Sequence, residues 1–276
     1  MLALVVSIPN STPVEVELAS DQLWQLGVRA IEERSVGDET ELWTTVGESD
    51  DAIARATPKL NGRWPWRIER VELDGVETWR QFAGPMWVTS DLVVVPAWQQ
   101  HSLDADPMVI HIEPGAAFGL GDHPTTELSL RALATLMPTN PERAVTVLDV
   151  GCGTGVLAIA AARLGAGTVR AVDVASAAVE VTIDNAARNG VTGRIDVDTA
   201  PTAALDGAYD IVVANILAPV LVHLADDLSR LTAPGGHLVV SGVLADSHAH
   251  VLEALAPMSV VHREVQDDWA VITLRH

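Results

Sequence analysis

Lysine and cysteine are almost missing from this 276-residue chain. Lys59 is the only lysine, and every other cationic side chain apart from histidine is Arg. Schiff-base chemistry and a Walker-type phosphate lysine are therefore nearly excluded. Cys152 is the only cysteine, so neither an intramolecular disulfide nor a cysteine-based zinc site is possible. Positive charge is scarce as well: 17 Lys and Arg stand against 37 Asp and Glu, a formal net charge of −20. Phosphate binding needs clustered cations, so this balance disfavours nucleic acid as a direct partner. It suits the steering of a basic partner, and equally general solubility or a salt-rich cytoplasm. No apolar run approaches the length of a membrane span. The start, "MLALVVSIPNSTPVEVE", has no basic residue and too short an apolar run for a signal peptide. The expectation is a cytoplasmic protein with no membrane contact, a monomer by default. The histidines form no ligand set with acids at metal spacing. His248 and His250, two residues apart, would not face each other on a helix, so no metal is expected.

What is present is apolar and patterned. A hydrophobic fraction of 48% supports one large core or two smaller ones. Residues 1–80 read as strand, helix, two strands, helix and strand. "LALVVSIP", "AIEERSV", "TELWTTVG" and "WRIERVEL" are the strands, with Gly37-Asp38 as a hairpin turn. "SDQLWQLG", capped by Ser20 or Asp21, and "SDDAIARATPKL" are the helices. The order βαββαβ predicts a small α+β domain. Residues 81–105, rich in Trp, Pro and Gly, read as a linker holding one or two strands.

From 106 to 276 strands alternate with helices. "VTVLDVG" is a continuous apolar strand of the kind buried on both faces. "GVLAIAAARLG", "SAAVEVTIDNAARNG" (capped by Ser176), "PVLVHLADDLSRL" and "DSHAHVLEAL" are helices. "TVRAVDV", "RIDVDT", "YDIVVANI" and "GHLVVSGV" are further strands, and "SVVHREVQ" and "WAVITLRH" close the chain around an Asp267-Asp268 turn. This predicts a doubly wound, mostly parallel α/β sheet with an antiparallel strand at its C-terminal end.

Ligands of such sheets bind beyond the carboxyl ends of the strands. The first strand runs into "LDVGCGTGVLA", with Gly151, Gly153 and Gly155 letting the backbone turn tightly and approach a ligand. A dinucleotide fingerprint would be G-x-G-x-x-G or G-x-G-x-x-A; here the third glycine comes one residue early and Val156 holds the last position. Asp149, just before the loop, ill suits a pyrophosphate and suits a ligand with an amine or a sulfonium. The D-x-G-x-G-x-G pattern therefore favours S-adenosylmethionine. Asp173, 22 residues past Gly151 at the end of the second strand, is placed to accept from a ribose diol. Asp196, Asp198 and Thr199 offer a weaker candidate for an adenine amino group. Asn215 ends the fourth strand, before Pro219 opens a helix.

Ahead of these lies "AFGLGDHPTTELSL", a loop entering a helix capped by Asp122 or His123, with Leu130, Leu133, Ala134 and Met137 as its buried stripe. Free N–H groups and the Thr126 hydroxyl at that helix N-terminus suit a carboxylate, such as the methionine end of the cofactor. His123 reads as loop support rather than as a proton carrier.

The ordered set "AFGLGDHPTT", "VLDVGCGTG", "AVDV", "VVANILA", "PGGHLVVSGVL" and "DDWAVITLRH" resembles the PrmA family, bacterial methyltransferases acting on ribosomal protein L11 of the large subunit. The match runs from about residue 79 to the end and is looser before it. Leu120 departs from the family, which usually has Thr there. The resemblance implies a class I S-adenosylmethionine-dependent fold with a seven-stranded sheet. It implies Thr126, Gly151, Asp173 and Asn215 as cofactor contacts, to which the loop adds Asp149 and Gly153. It further implies methylation of lysine ε-amines and an N-terminal α-amine on a basic protein substrate, no metal, and an N-terminal domain that recognises the substrate. Asn215 is the candidate catalytic residue, orienting the amine lone pair. Two other readings stay open: a class I methyltransferase acting on another protein, a small molecule or a nucleic-acid amine, and a non-catalytic S-adenosylmethionine-binding protein. Enzymes that methylate base amines often carry Asn-Pro-Pro-aromatic at the fourth strand end, where this chain has Asn-Ile-Leu-Ala.

Overall fold

A computed structural model of the chain describes residues 2–9, 11–24, 26, 28, 31–37, 39–44, 60, 62–70, 84–99, 106–113, 123–138 and 144–276. The chain divides into two compact units, Met1–Ala83 and Gly84–His276.

The first unit contains β1 (Leu2–Pro9), α1 (Pro13–Trp24), β2 (Ile31–Val36), β3 (Glu39–Thr44) and β4 (Trp66–Arg70). The strands form an antiparallel sheet in the order β2-β3-β1-β4. Side-chain alternation puts Leu4, Val6, Ile8 and Leu42 on one face, buried with Ala19 and Leu23 of α1. On the other face Arg67 pairs with Glu41 at 2.8 Å and Glu69 at 2.6 Å, and the Arg34 guanidinium lies 4.0 Å from the Trp43 ring centre. The helix expected from "SDQLWQLG" begins earlier, at Pro13. Pro fits the first turn of a helix, and the Thr12 hydroxyl accepts from the Glu15 N–H at 3.3 Å. Ser20 and Asp21 therefore lie inside the helix and not at its start. The helix expected over 49–60 lies outside the described residues, except Leu60.

The second unit opens with β5 (Met86–Thr89), β6 (Leu92–Pro96) and β7 (Met108–Ile112), a small sheet. Two of these strands fall within the span expected as linker. The run Leu92–Pro96 is buried throughout, which makes it core of this unit. Then follow α2 (Pro124–Leu136), β8 (Thr146–Val150), α3 (Val156–Arg163), β9 (Thr168–Val172), α4 (Ser176–Arg188), β10 (Ile195–Asp198) and β11 (Tyr209–Asn215). The chain closes with α5 (Ala218–His223), α6 (Ala225–Leu231), β12 (Thr232–Leu244), α7 (Ala249–Ala254), β13 (Ser259–Gln266) and β14 (Trp269–Arg275). Seven strands form one sheet in the order β10-β9-β8-β11-β12-β14-β13, parallel as far as β12 and antiparallel beyond it. Asp267 and Asp268, both at positive φ, make the last hairpin turn.

Two expectations about helices change. Ser176 is the first residue of α4 and not its cap; Ala175 holds the cap position, and its N–H donates to Asp173 Oδ1 at 2.9 Å. The segment "PVLVHLADDLSRL" is two helices, because Leu224 leaves helical geometry between them. Leu221 of the first helix and Ala225, Leu228 and Leu231 of the second all reach the same apolar cluster.

The sheet is covered on both faces. Along β8, Val147 enters one apolar cluster, shared with α2 and α3, while Leu148 and Val150 enter the other, shared with α5, α6 and α7. Val213 and Val212 of β11 divide in the same way. Among the described residues no helix is long and apolar enough to cross a membrane. Leu148 is fully buried on the central strand. Leu148→Ala is expected to lower the stability of this unit by about 3 kcal/mol, read as a shifted urea midpoint.

Candidate active site

The chain leaves β8 at Val150 and turns at once. Gly151 and Gly155 have φ of 76° and 78°, a region glycine enters without strain. A Cβ on Gly151 would lie 2.4 Å from Ile216 Cγ2, so any other residue would be strained at this φ and would have to displace Ile216. The Val172 carbonyl accepts from the N–H groups of Gly151 (2.8 Å) and Cys152 (3.1 Å), which draws the loop toward the end of β9. Asp173 completes that closure. Its Oδ2 accepts from the Gly153 N–H at 3.0 Å and its Oδ1 from the Ala175 N–H at 2.9 Å. Each carboxylate oxygen keeps a further lone pair.

Asp149 is placed beneath this loop. Strand alternation turns its side chain toward α3, and it is 1% exposed. Its Oδ2 accepts from the Ala158 N–H at 3.0 Å, in the first turn of α3, where backbone N–H groups have no helical partner. Its Oδ1 is buried with no hydrogen-bond partner among the described residues. Burial pushes the carboxyl up to about 7, against the helix N–H and aided by the charge of Asp173.

The opposite wall comes from β11 and α2. Asn215 ends β11, pairs in register with Ser241 of β12, and directs its Nδ2 at the Thr126 hydroxyl, 3.5 Å away. Thr126 is buried in the first turn of α2, whose cap is His123. His123 Nδ1 accepts from the Thr125 N–H at 3.3 Å and lies 2.7 Å from its hydroxyl, and the imidazole meets Trp269 edge-on with ring centres 5.2 Å apart. Ser241 donates to the carbonyls of Thr125 and Ala270, both at 3.3 Å. Leu130 and Leu133 are buried as expected, with Ala134 partly covered and Met137 at the C-cap, but Leu128 and Ala132 are buried too, so α2 is covered on more than one stripe.

The six residues singled out as cofactor contacts thus gather at one edge of the sheet. Asp149, Gly151, Gly153 and Asp173 surround the loop, and Asn215 and Thr126 meet across 89 residues of sequence. Asp198 is otherwise engaged, with Arg170 at 2.7 Å and the Ala200 N–H at 2.7 Å; these partners hold its carboxyl below the usual range. Asp122 and Leu120 lie outside the described residues.

Sequence reasoning missed the residues that hold the loop from below. Thr182 donates to the Gly153 carbonyl at 3.1 Å, and Asn185 donates to the Thr154 carbonyl at 3.0 Å. A signal was there to find: both fall on the stripe of α4 that buries Ala178 and Ala186.

A mostly parallel seven-stranded sheet with this final antiparallel pair, a glycine loop after its central strand and an acid after the next is the class I methyltransferase fold. Comparisons narrow the class. A family model described as ribosomal protein L11 methyltransferase (PrmA) matches residues 10–276. A ribosomal protein L11 methyltransferase of Syntrophotalea carbinolica is 42% identical over 210 residues, 74% of this chain and 67% of that one. One of Pelobacter propionicus is 40% identical over 228 residues, 82% of this chain and 74% of that one. The crystal structure of a ribosomal protein L11 methylase from Lactobacillus delbrueckii subsp. bulgaricus is 30% identical with a TM-score of 0.65, covering 70% of this chain and all of that one. The chain belongs to the ribosomal protein L11 methyltransferase (PrmA) family.

An acid held near 7 in the fold, against a reference value of 3.8, binds more protons folded than unfolded between those values. Stability from this group is greatest at low pH and falls as pH rises through that window. Asp149→Asn keeps an acceptor for Ala158 and removes the titration. Urea midpoints between pH 5 and 8 should show the variant gaining on the parent as pH rises, by about 4 kcal/mol at most. Parallel profiles would mean that the carboxyl is ionised throughout.

Proposed function

We propose that this protein transfers methyl groups from S-adenosylmethionine to amino groups of ribosomal protein L11, at lysine ε-amines and the N-terminal α-amine. The observation that carries the reading is the family match over 10–276, together with the carboxylate clasp that Asp173 makes on the glycine loop.

The donor set fits this cofactor. Asp173, with lone pairs to spare, accepts from a ribose diol. Gly151 and Gly153 carry no Cβ to hold a ligand off the backbone, and Asp149 braces the loop from beneath. Thr126, in the first turn of α2, lies at the positive end of the helix dipole, which favours a carboxylate. When bound, S-adenosylmethionine supplies a methyl group on a cationic sulfonium, an electrophile that needs no metal.

The rest falls to the chain. A free lysine amine has a pKa of about 10.4 and must lose a proton before it can attack. A site shielded from water disfavours the ammonium and lowers that value. Thr126 anchors the amide nitrogen of Asn215, and the amide oxygen, on the other side of the group, accepts from the amine and aims its lone pair. His123, engaged as the cap of α2, supports the wall and moves no proton.

Residues 1–80 recognise the substrate, the catalytic part runs from Gly84 to His276 with β5 and β6 in its core, and the net charge of −20 attracts a basic ribosomal protein from solution. The reaction runs in the cytoplasm, on the protein directly rather than on nucleic acid, by a monomer.

Calorimetry should register S-adenosylhomocysteine binding to the parent chain. Asp173→Ala should weaken it about a hundredfold, the scale of two hydrogen bonds to a charged group. Labelled cofactor incubated with purified ribosomal protein L11 should place methyl groups on amines of that protein, located by mass spectrometry. Label on RNA and none on protein would overturn the substrate.

A further inference from the structure

The glycine loop spaces its third glycine one residue short of the dinucleotide fingerprint, and the structure supplies a reason. A Cβ on Gly155 would lie 2.7 Å from Thr182 Cγ2 and 2.9 Å from Thr182 Oγ1. With glycine at 155, Thr182 passes under the loop, and its hydroxyl reaches the Gly153 carbonyl at 3.1 Å. One turn further along α4, Asn185 makes three side-chain hydrogen bonds, using both amide hydrogens and one lone pair of its oxygen. Its Nδ2 donates to the carbonyls of Thr154 (3.0 Å) and Glu113 (2.8 Å), and its Oδ1 accepts from the Glu113 N–H at 2.9 Å. Both side chains are fully buried.

Asn189, one more turn along, makes the contrast. It holds the backbone of His111 in β7 through both groups, at 2.9 and 2.7 Å, and donates to the Asn185 carbonyl at 2.8 Å. None of its side-chain bonds touches the loop. Asn185 and Asn189 alike pair with the edge of β7 that β6 leaves open, but only Asn185 also grips the loop.

We infer that Thr182 and Asn185 are positioning residues for the methyl-donor loop: α4 sets the orientation of two successive loop carbonyls, and Asn185 locks the end of β7 to the second of them. The inference rests on the methyl-donor reading of the site. A trans peptide that turns its carbonyl toward α4 turns the following N–H the other way. The Thr154 N–H is thereby turned away from α4, and the Gly155 N–H is turned to the Cys152 carbonyl, which accepts from it at 2.7 Å; the two side chains thus fix the path of the loop that the ligand meets. They touch no ligand themselves, so their loss acts through loop geometry.

The test compares three variants by calorimetric titration with S-adenosylhomocysteine, at a temperature well below each variant's own unfolding midpoint. Thr182→Val keeps the branched shape under Gly155 and deletes the hydroxyl. Asn185→Ser deletes the double grip. Asn189→Ser removes as many hydrogen bonds from the same helix and strand without touching the loop. Thr182→Val and Asn185→Ser should each weaken binding about tenfold, and Asn189→Ser should stay within about twofold of the parent although it too is destabilised. Equal weakening in all three, or none in any, overturns the inference while leaving the cofactor reading in place. A parent chain that binds no S-adenosylhomocysteine overturns both. If Asn185→Ser does not fold, Thr182→Val against Asn189→Ser decides alone.

Discussion

Strand β8 has no face on water. Val147 lies in one apolar cluster and Leu148 and Val150 in the other, so polar chemistry can leave the strand only at its carboxyl end. Asp149 is the exception, an acid placed by alternation inside the apolar layer under α3. An isolated charge there would be costly, and the first turn of α3 offsets part of that cost through the Ala158 N–H. The bond spans nine residues, and it fixes how far the chain can travel between the strand and the helix. The glycine loop is the stretch that fits between those two anchors.

What surrounds the loop follows from strand order. The neighbours of β8 are β9 and β11, and the winding of the sheet reverses between β8 and β11. The residues that end those neighbours, Asp173 and Asn215, therefore flank the loop whatever lies between them in sequence. Thr126 joins them because α2 packs on β11, β12 and β14, where Ser241 donates to the Thr125 carbonyl. Ile216 ties the two sides together. Its side chain occupies the space a Cβ on Gly151 would need, and its carbonyl lies 2.5 Å from where a Cβ on Gly242 would be. Two glycines far apart in sequence thus keep the turn after Asn215 in place.

Much of this was legible from local pattern. The apolar run at 146–150 and the glycines after it marked the loop, and an acid or amide after a parallel strand marked Asp173 and Asn215. Those signals are short-range and chemical, and the resemblance of "HPTT" and "NILA" to a known family sharpened them. Other features were hidden for physical reasons. Thr12-Pro13 outranked Ser20 as a helix start, because proline is tolerated only in the first turn. Ser176 has the composition of a cap, but the extended backbone ends one residue earlier, at Ala175, so the helix has already begun at Ser176. Periodicity puts Thr182 and Asn185 on the inward stripe of α4 but does not say what they bind. Only the tertiary path of β7 and the loop gives their side chains work inside the protein, and no periodicity encodes that path.

The distribution of charge around the loop bears on why an amide, and not an acid, ends β11. The acidic groups, Asp173 at the loop and the buried Asp149 beneath it, stand on the side of β8 and β9; the opposite wall of Asn215, Thr126 and Ser241 holds no acid. On the methyl-transfer reading the two sides have opposite needs. A cationic donor gains from nearby negative charge. An acceptor amine must arrive neutral, and a carboxylate beside it would stabilise the ammonium and raise its pKa. An amide oxygen accepts from the same amine without that penalty, because it offers a dipole where a carboxylate would offer a full charge. The overall charge of −20 does not undo this, since exposed charges beyond a Debye length of about 10 Å are largely screened. Long-range attraction for a basic substrate and local preference for its neutral amine can therefore coexist in one molecule, provided residue 215 carries no charge.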